Sequence, residues 1–187
     1  MKPQTLEIQI LNFLQGLQDE AKELLEGERT FLGGIEFLRS MFPNPGISRL
    51  ASGIMETVRQ KITPICGGLR VKRPAFILNG HGPQAIIALP PDWYKMMGRD
   101  PITELGSVVF VGSHAVDYAH DRFSGDTNKV KSRAIAYEAE FLHTVKNLTP
   151  SWEPCSYQVE ILQEFPEGLA TPKAQKLVYP IQPLVLA

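Results

Sequence analysis

The chain has 187 residues, 43% of them hydrophobic and 21% charged, with a formal net charge of -1. That balance supplies a core of ordinary size for one domain, and it excludes the polybasic field that nucleic acid or an acidic membrane surface requires. Cys66 and Cys155 stand alone, which excludes a disulfide framework or a cysteine-built zinc site and points to a reducing compartment.

The elements follow in chain order. Leu6, Ile10, Phe13, Leu17, Ala21 and Leu24 recur at spacings of three and four, which predicts an amphipathic helix stopped at Gly27. This opening also lacks the continuous apolar run of a signal peptide. Phe31, Ile35, Leu38 and Phe42 predict a second helix that ends before Pro43, although Gly33 and Gly34 weaken it. Residues 44–48 read as a loop with Ser48 as cap. A third helix then carries Leu50, Ile54, Val58 and Ile62 to a stop at Thr63-Pro64.

The period then changes. Residues 69–78 and 84–89 are β-rich runs flanking Asn79-Gly80, the signature of a hairpin, and Pro74 demotes the first run to a sheet edge or a bulge. Residues 90–98 read as a short helix between Pro and Gly. The apolar run 106–113 reads as a buried strand. Residues 128–148 read as a long helix with Ile135, Ala139, Leu142 and Val145 on one stripe, widened by Tyr137 and Phe141. Residues 157–165 alternate as a strand, with Val159, Ile161 and Phe165 inward. Residues 175–187 read as extended, and Pro180 and Pro183 keep them off the centre of a sheet. No stretch reaches the ~20 apolar residues that span a bilayer. The expected class is therefore α+β. Amphipathic helices fill residues 1–64. Residues 65–187 hold an antiparallel sheet with one long helix packed on it and an extended C-terminal arm, the whole forming one compact unit.

Chemistry-bearing residues crowd into 112–126. On a helix, His114, Asp117 and Asp121 share about one face, and His120 lies roughly 120° from His114. In an extended chain the two His face one side and the two Asp the other. Glu140 and His143 carry one copy of the Glu-x-x-His spacing found in di-iron bundles. One reading is therefore a metal-dependent hydrolase, in which His114, Asp117 and Asp121, with Glu140 and His143, hold a divalent ion that activates water. The ordinary reading pairs Asp117 and Asp121 with Arg122 or Lys129. The basic groups Arg70-Lys72-Arg73 and Lys129-Lys131-Arg133 read as solvated faces, because no aromatic platform interleaves with them. Asn79-Gly80-His81-Gly82 resembles a stretch of creatininase-like amidohydrolases, but the acidic ligand clusters of that family are missing. Residues 84–111 resemble swapped-hairpin DNA-binding domains, with only Lys95 and Arg99 as basic groups.

Residues 107–125 resemble the late strand and loop of tailed-phage tail-completion and head–tail joining (neck) proteins. In that family a Val-Gly strand is followed by Tyr-Ala and then by Phe-Gly. The matching positions are Val111, Gly112, Tyr118, Ala119 and Gly125; Phe123 falls one residue early, Ser124 takes its place, and the upstream Thr-Gly-x-Leu segment is absent. The resemblance covers about a tenth of the chain. It implies a ring-forming structural protein without catalysis.

The function expected is thus a non-enzymatic assembly protein, homo-oligomeric or part of a larger complex, in the cytoplasm or in a virion. No cofactor, membrane contact or specific nucleic acid is expected. The expected interface is the apolar arm: Leu177, Val178, Tyr179, Ile181, Leu184, Val185 and Leu186.

Overall fold

The computed structural model describes residues 5–17, 26–78, 85–122, 127–179 and 181. Helix α1 (Leu6–Leu17) buries Leu6, Ile10 and Leu14, and Phe13 meets Phe37 edge-on at 5.7 Å between ring centroids. Ala21 and Leu24, the end of the predicted stripe, lie outside the described residues. Gly27 is not a stop: it sits in the first turn of α2 (Glu26–Ser40), where the N–H groups have no intrahelical partner in any case. Phe31, Ile35 and Leu38 face inward from α2, and Phe42 is buried just beyond it.

Helix α3 (Pro45–Arg59) is capped by Asn44 rather than Ser48. The Asn44 side chain accepts from Gly46 N (3.0 Å) and Ile47 N (3.1 Å), and Pro45 supplies the favoured first-turn residue. Ser48 instead donates to Arg39 O at 2.7 Å.

The sheet is small and mixed, which corrects the antiparallel expectation. Strands β1 (Ile65–Cys66), β2 (Ala75–Leu78) and β3 (Ala85–Ala88) lie in the order β1-β3-β2. The β2–β3 pair is antiparallel, as the hairpin reading expects, and β2 is at the edge, one of the two places that Pro74 allows. The β1–β3 pair is parallel.

Helix α4 (Trp93–Arg99) is the expected short helix. The largest departure comes next. Residues 106–113 are not a strand but the middle of α5 (Pro101–Ala119). Asp100 caps it by accepting from Thr103 N at 3.1 Å, with Pro101 at the first position. Helix α5 is buried over most of its surface, with Thr103, Ser107, Phe110, His114 and Tyr118 forming one half-buried stripe. A helix apolar all round loses the 3.6-residue signature and reads as a continuous apolar run, which a buried strand also produces.

Helix α6 (Thr127–Leu148) is as expected and packs along α5. Residues 157–165 are a second correction: they form α7 (Ser156–Glu164), with Ile161 and Phe165 buried four residues apart. The Gln158 side chain accepts from Cys155 N (2.9 Å), which seals the first turn, and donates to Thr103 Oγ1 on α5 (3.0 Å). A 3-10 turn at Gly168–Ala170 leads into α8 (Pro172–Gln175). Among the described residues the chain is mostly helical, with eight helices and the three-strand sheet. One core cluster runs from Leu6 to Ala174, with α5 at its centre.

The α3–α5 crossing depends on Gly112, where a Cβ would overlap the Ile54 side chain. Gly98, at the exposed end of α4, has nothing within 4 Å. Gly112→Ala is therefore expected to destabilise by about 1–3 kcal/mol through overpacking. Gly98→Ala should stabilise by roughly 0.5–1 kcal/mol through helix propensity. Urea denaturation of the two variants checks the opposite signs.

Candidate functional site

The polar residues of the middle of the chain fall into three environments. The first is at the α5–α6 crossing. Asp117 and Arg133 form a buried ion pair at 2.8 Å, with both side chains 5% exposed. Arg122 stands 3.9 Å from the other carboxylate oxygen. Burial pushes the Asp117 carboxyl above its ordinary value, and Arg133 pulls against that shift. Arg133 also donates to Leu177 O at 3.4 Å. The ring of Tyr179 lies over both guanidinium groups, 4.9 Å from Arg122 and 5.2 Å from Arg133.

His114, three residues before Asp117, leaves that face. It contacts Phe110 and Phe76, and its Nδ1 is 2.9 Å from Phe110 O. Burial lowers its pKa. Asp121 adopts φ 53° beyond the end of α5. Its N–H bonds Tyr118 O (3.0 Å), and Arg122 N bonds Asp117 O (2.8 Å). This is a Schellman closure with Asp where Gly is usual.

The second environment is on α6. Glu140 Oε1 accepts from Asn44 Nδ2 at 2.7 Å, and Oε2 accepts from Leu169 N at 2.8 Å. His143 Nε2 is 2.9 Å from Phe165 O. The Glu-x-x-His spacing thus clamps the backbone that follows α7. These two residues border an open cavity of about 550 Å³ with Asn147 and Glu167. Among the described residues no group of three or more His, Cys, Asp or Glu is placed to hold a metal ion. His114 and Asp117 feel each other's charge, but the structure does not gather them with Glu140 and His143 around one point. His81 lies outside the described residues.

The third environment was not legible as chemistry. Glu138 is 5% exposed and accepts from Tyr157 Oη at 3.2 Å. Burial pushes its carboxyl up to about 7. Glu104, 4% exposed, accepts from Trp93 Nε1 at 2.6 Å, and burial raises its pKa as well. Arg133 also went unread, grouped with Lys129 and Lys131 as a solvated face; it is 4% exposed.

Of the expected interface residues, Leu177, Val178 and Ile181 pack against the chain's own core. Ile181 approaches Gly53 of α3, beside Val116 of α5. Tyr179 is 49% exposed. Leu184, Val185 and Leu186 lie outside the described residues. No helix among the described residues is long and apolar enough to cross a membrane.

Compared with known proteins, the chain matches no family model, no curated protein and no solved structure. Its geometry therefore carries the functional argument alone.

Two outcomes follow from these contacts. Folded Glu138 holds a proton that the unfolded chain releases between its ordinary pKa of 4.5 and about 7. Its contribution to stability is therefore full below that window and lost as pH rises through it, by up to roughly 3 kcal/mol. Melting curves from pH 5 to 8 should show this fall, and Glu138→Gln should flatten it and raise stability at pH 8. Glu140→Ala should cost roughly 2–3 kcal/mol, since it leaves the Asn44 amide and Leu169 N–H unpaired. Denaturant unfolding at neutral pH measures that loss.

Proposed function

We propose that the protein is a non-enzymatic assembly protein that self-associates through an exposed sheet edge. The observation that carries this reading is β2. It pairs with β3 on one side, forms the edge of the sheet, and exposes Ile77 (37%) and Leu78 (49%). An apolar edge of this kind is a template for another strand. The occupant is β2 of a second copy. Ala75–Leu78 carries no charge to repel its own copy, and antiparallel self-pairing gives a closed two-fold dimer.

The polar groups of the interior support the same reading. Asp117, Glu140, His143 and Glu104 each bond another part of the same chain, as the interior of a scaffold requires. A place in a virion neck or tail is the narrower form of the proposal. Its support is the sequence resemblance over 107–125, whose Val111-Gly112 lies within helix α5 rather than in a strand.

The test is the mass of the native protein by light scattering at about 10 μM, a concentration that populates a micromolar dimer. A dimer or larger assembly is expected. Replacing Ile77 and Leu78 together by Lys should give a monomer with the wild-type circular dichroism spectrum and a melting point that no longer depends on protein concentration. A monomeric wild type would overturn the proposal. Dissociation on removal of residues 182–187 alone would move the interface from β2 to the tail.

A further inference from the structure

Two cavities meet at Tyr137. The larger, about 210 Å³, is bordered by Arg49, Tyr137, Leu169, Val178, Tyr179 and Ile181. The smaller, about 10 Å³, reaches the Asp117–Arg133 pair and Arg122. Tyr137, Tyr179 and Ile181 border both. Tyr137 is 6% exposed, and its hydroxyl makes no hydrogen bond to any described residue. Since that hydroxyl is not sealed from solvent, it is free to donate to an acceptor that enters the cavity.

The charges around it favour an anion as that acceptor. Arg122, Arg49 and Arg133 act on the Tyr137 hydroxyl, and Asp117 opposes them. Arg133 is spent on Asp117, and Arg122 stands beside the same carboxylate. Arg49, exposed at the rim, makes no ion pair with any described residue. The remaining walls of the larger cavity, Leu169, Val178 and Ile181, are apolar.

We infer that this cavity binds a small organic molecule carrying an oxyanion, a phosphate or a carboxylate, on an apolar body. The oxyanion accepts from the Tyr137 hydroxyl and the Arg49 guanidinium. The body lies against Leu169, Val178 and Ile181. A neutral ligand gains no ion pair with Arg49, and a cation is repelled by it. Burial, the largest influence on Tyr137, pushes its pKa up to about 12, so the hydroxyl remains a donor at neutral pH. Tyr179 and Ile181 form the wall between the two cavities, so the C-terminal segment that covers the ion pair also closes the site.

Calorimetric titration with phenyl phosphate, benzoate and phenol tests the inference. At least one of the two anions should bind and phenol should not, and the tighter anion identifies the ligand's charged group. Tyr137→Phe should weaken binding by about tenfold or more, the effect of one hydrogen bond to a charged group. Without ligand it should melt no lower than the wild type, because it removes only an unpartnered hydroxyl. Arg49→Gln should also weaken binding and reduce its dependence on salt. Equal binding of phenol and the anions would overturn the inference. So would wild-type affinity in both variants, or no binding of either anion up to about 10 mM, beyond the weak end of measurable small-molecule affinity.

Discussion

At the crossing of α5 and α6, two opposite charges are held out of water. Removing a carboxylate and a guanidinium from solvent is unfavourable by several kcal/mol each, and only close, well-directed contact offsets it. Asp117 and Arg133 meet at 2.8 Å with both side chains 5% exposed, so the two helices are held at one register there. A slip by one residue would leave both charges buried and unpaired, at roughly 3–5 kcal/mol for losing either partner. The pair also orders what covers it. Arg133 reaches Leu177 O, Tyr179 lies over the guanidinium groups, and Ile181 settles between α3 and α5. The buried pair thus helps to hold the C-terminal segment where Leu177, Val178 and Ile181 dock on the chain's own core.

The rest of the polar interior repeats this device on different faces. Helix α5 is apolar nearly all round, so each polar residue on it needs a directed partner. Glu104 finds Trp93 of α4, and Asp117 finds Arg133 of α6. Helix α6 distributes its polar groups in the same way. Glu138 meets Tyr157 of α7, Glu140 joins the cap of α3 to the 3-10 turn, and His143 bonds the end of α7. Successive faces of α6 each tie down one neighbour, and the small sheet is carried on α5.

This arrangement explains what could be read in advance. Stripes at spacings of three and four marked α1, α2, α3 and α6, because each of these helices has one wet face. Helix α5 has only a half-buried stripe that mixes Ser107 with Phe110, so residues 106–113 show no polar period. Helix α7 is nine residues long, too short for alternation and helical spacing to separate; the Gln158 bonds and the Ile161–Phe165 pair decide it. Glu140 and His143 were placed on one face by spacing alone, but spacing does not say whether a backbone or an ion lies opposite. Lys129 and Arg133 share a face one turn apart. The first lies beyond the edge of the core and is exposed, and the second is covered by α5 and the C-terminal segment. Which turn of a helix the core reaches is a tertiary fact that no local pattern contains.

A sequence that folds well satisfies its groups at every level, and the exceptions mark where selection acted on something besides stability. Two exceptions stand out here. Strand β2 turns Ile77 and Leu78 to solvent at a sheet edge, and Tyr137 holds an unpartnered hydroxyl at a cavity beside a cation. Thr63 also has an unpartnered hydroxyl, as Glu7 and Gln60 have unpartnered side-chain oxygens, but those atoms are sealed from solvent. Exposure separates the cases. An unmet group sealed in the core only lowers stability. An unmet group at an edge or a cavity is hydrated, and it stays available to whatever arrives to replace that water.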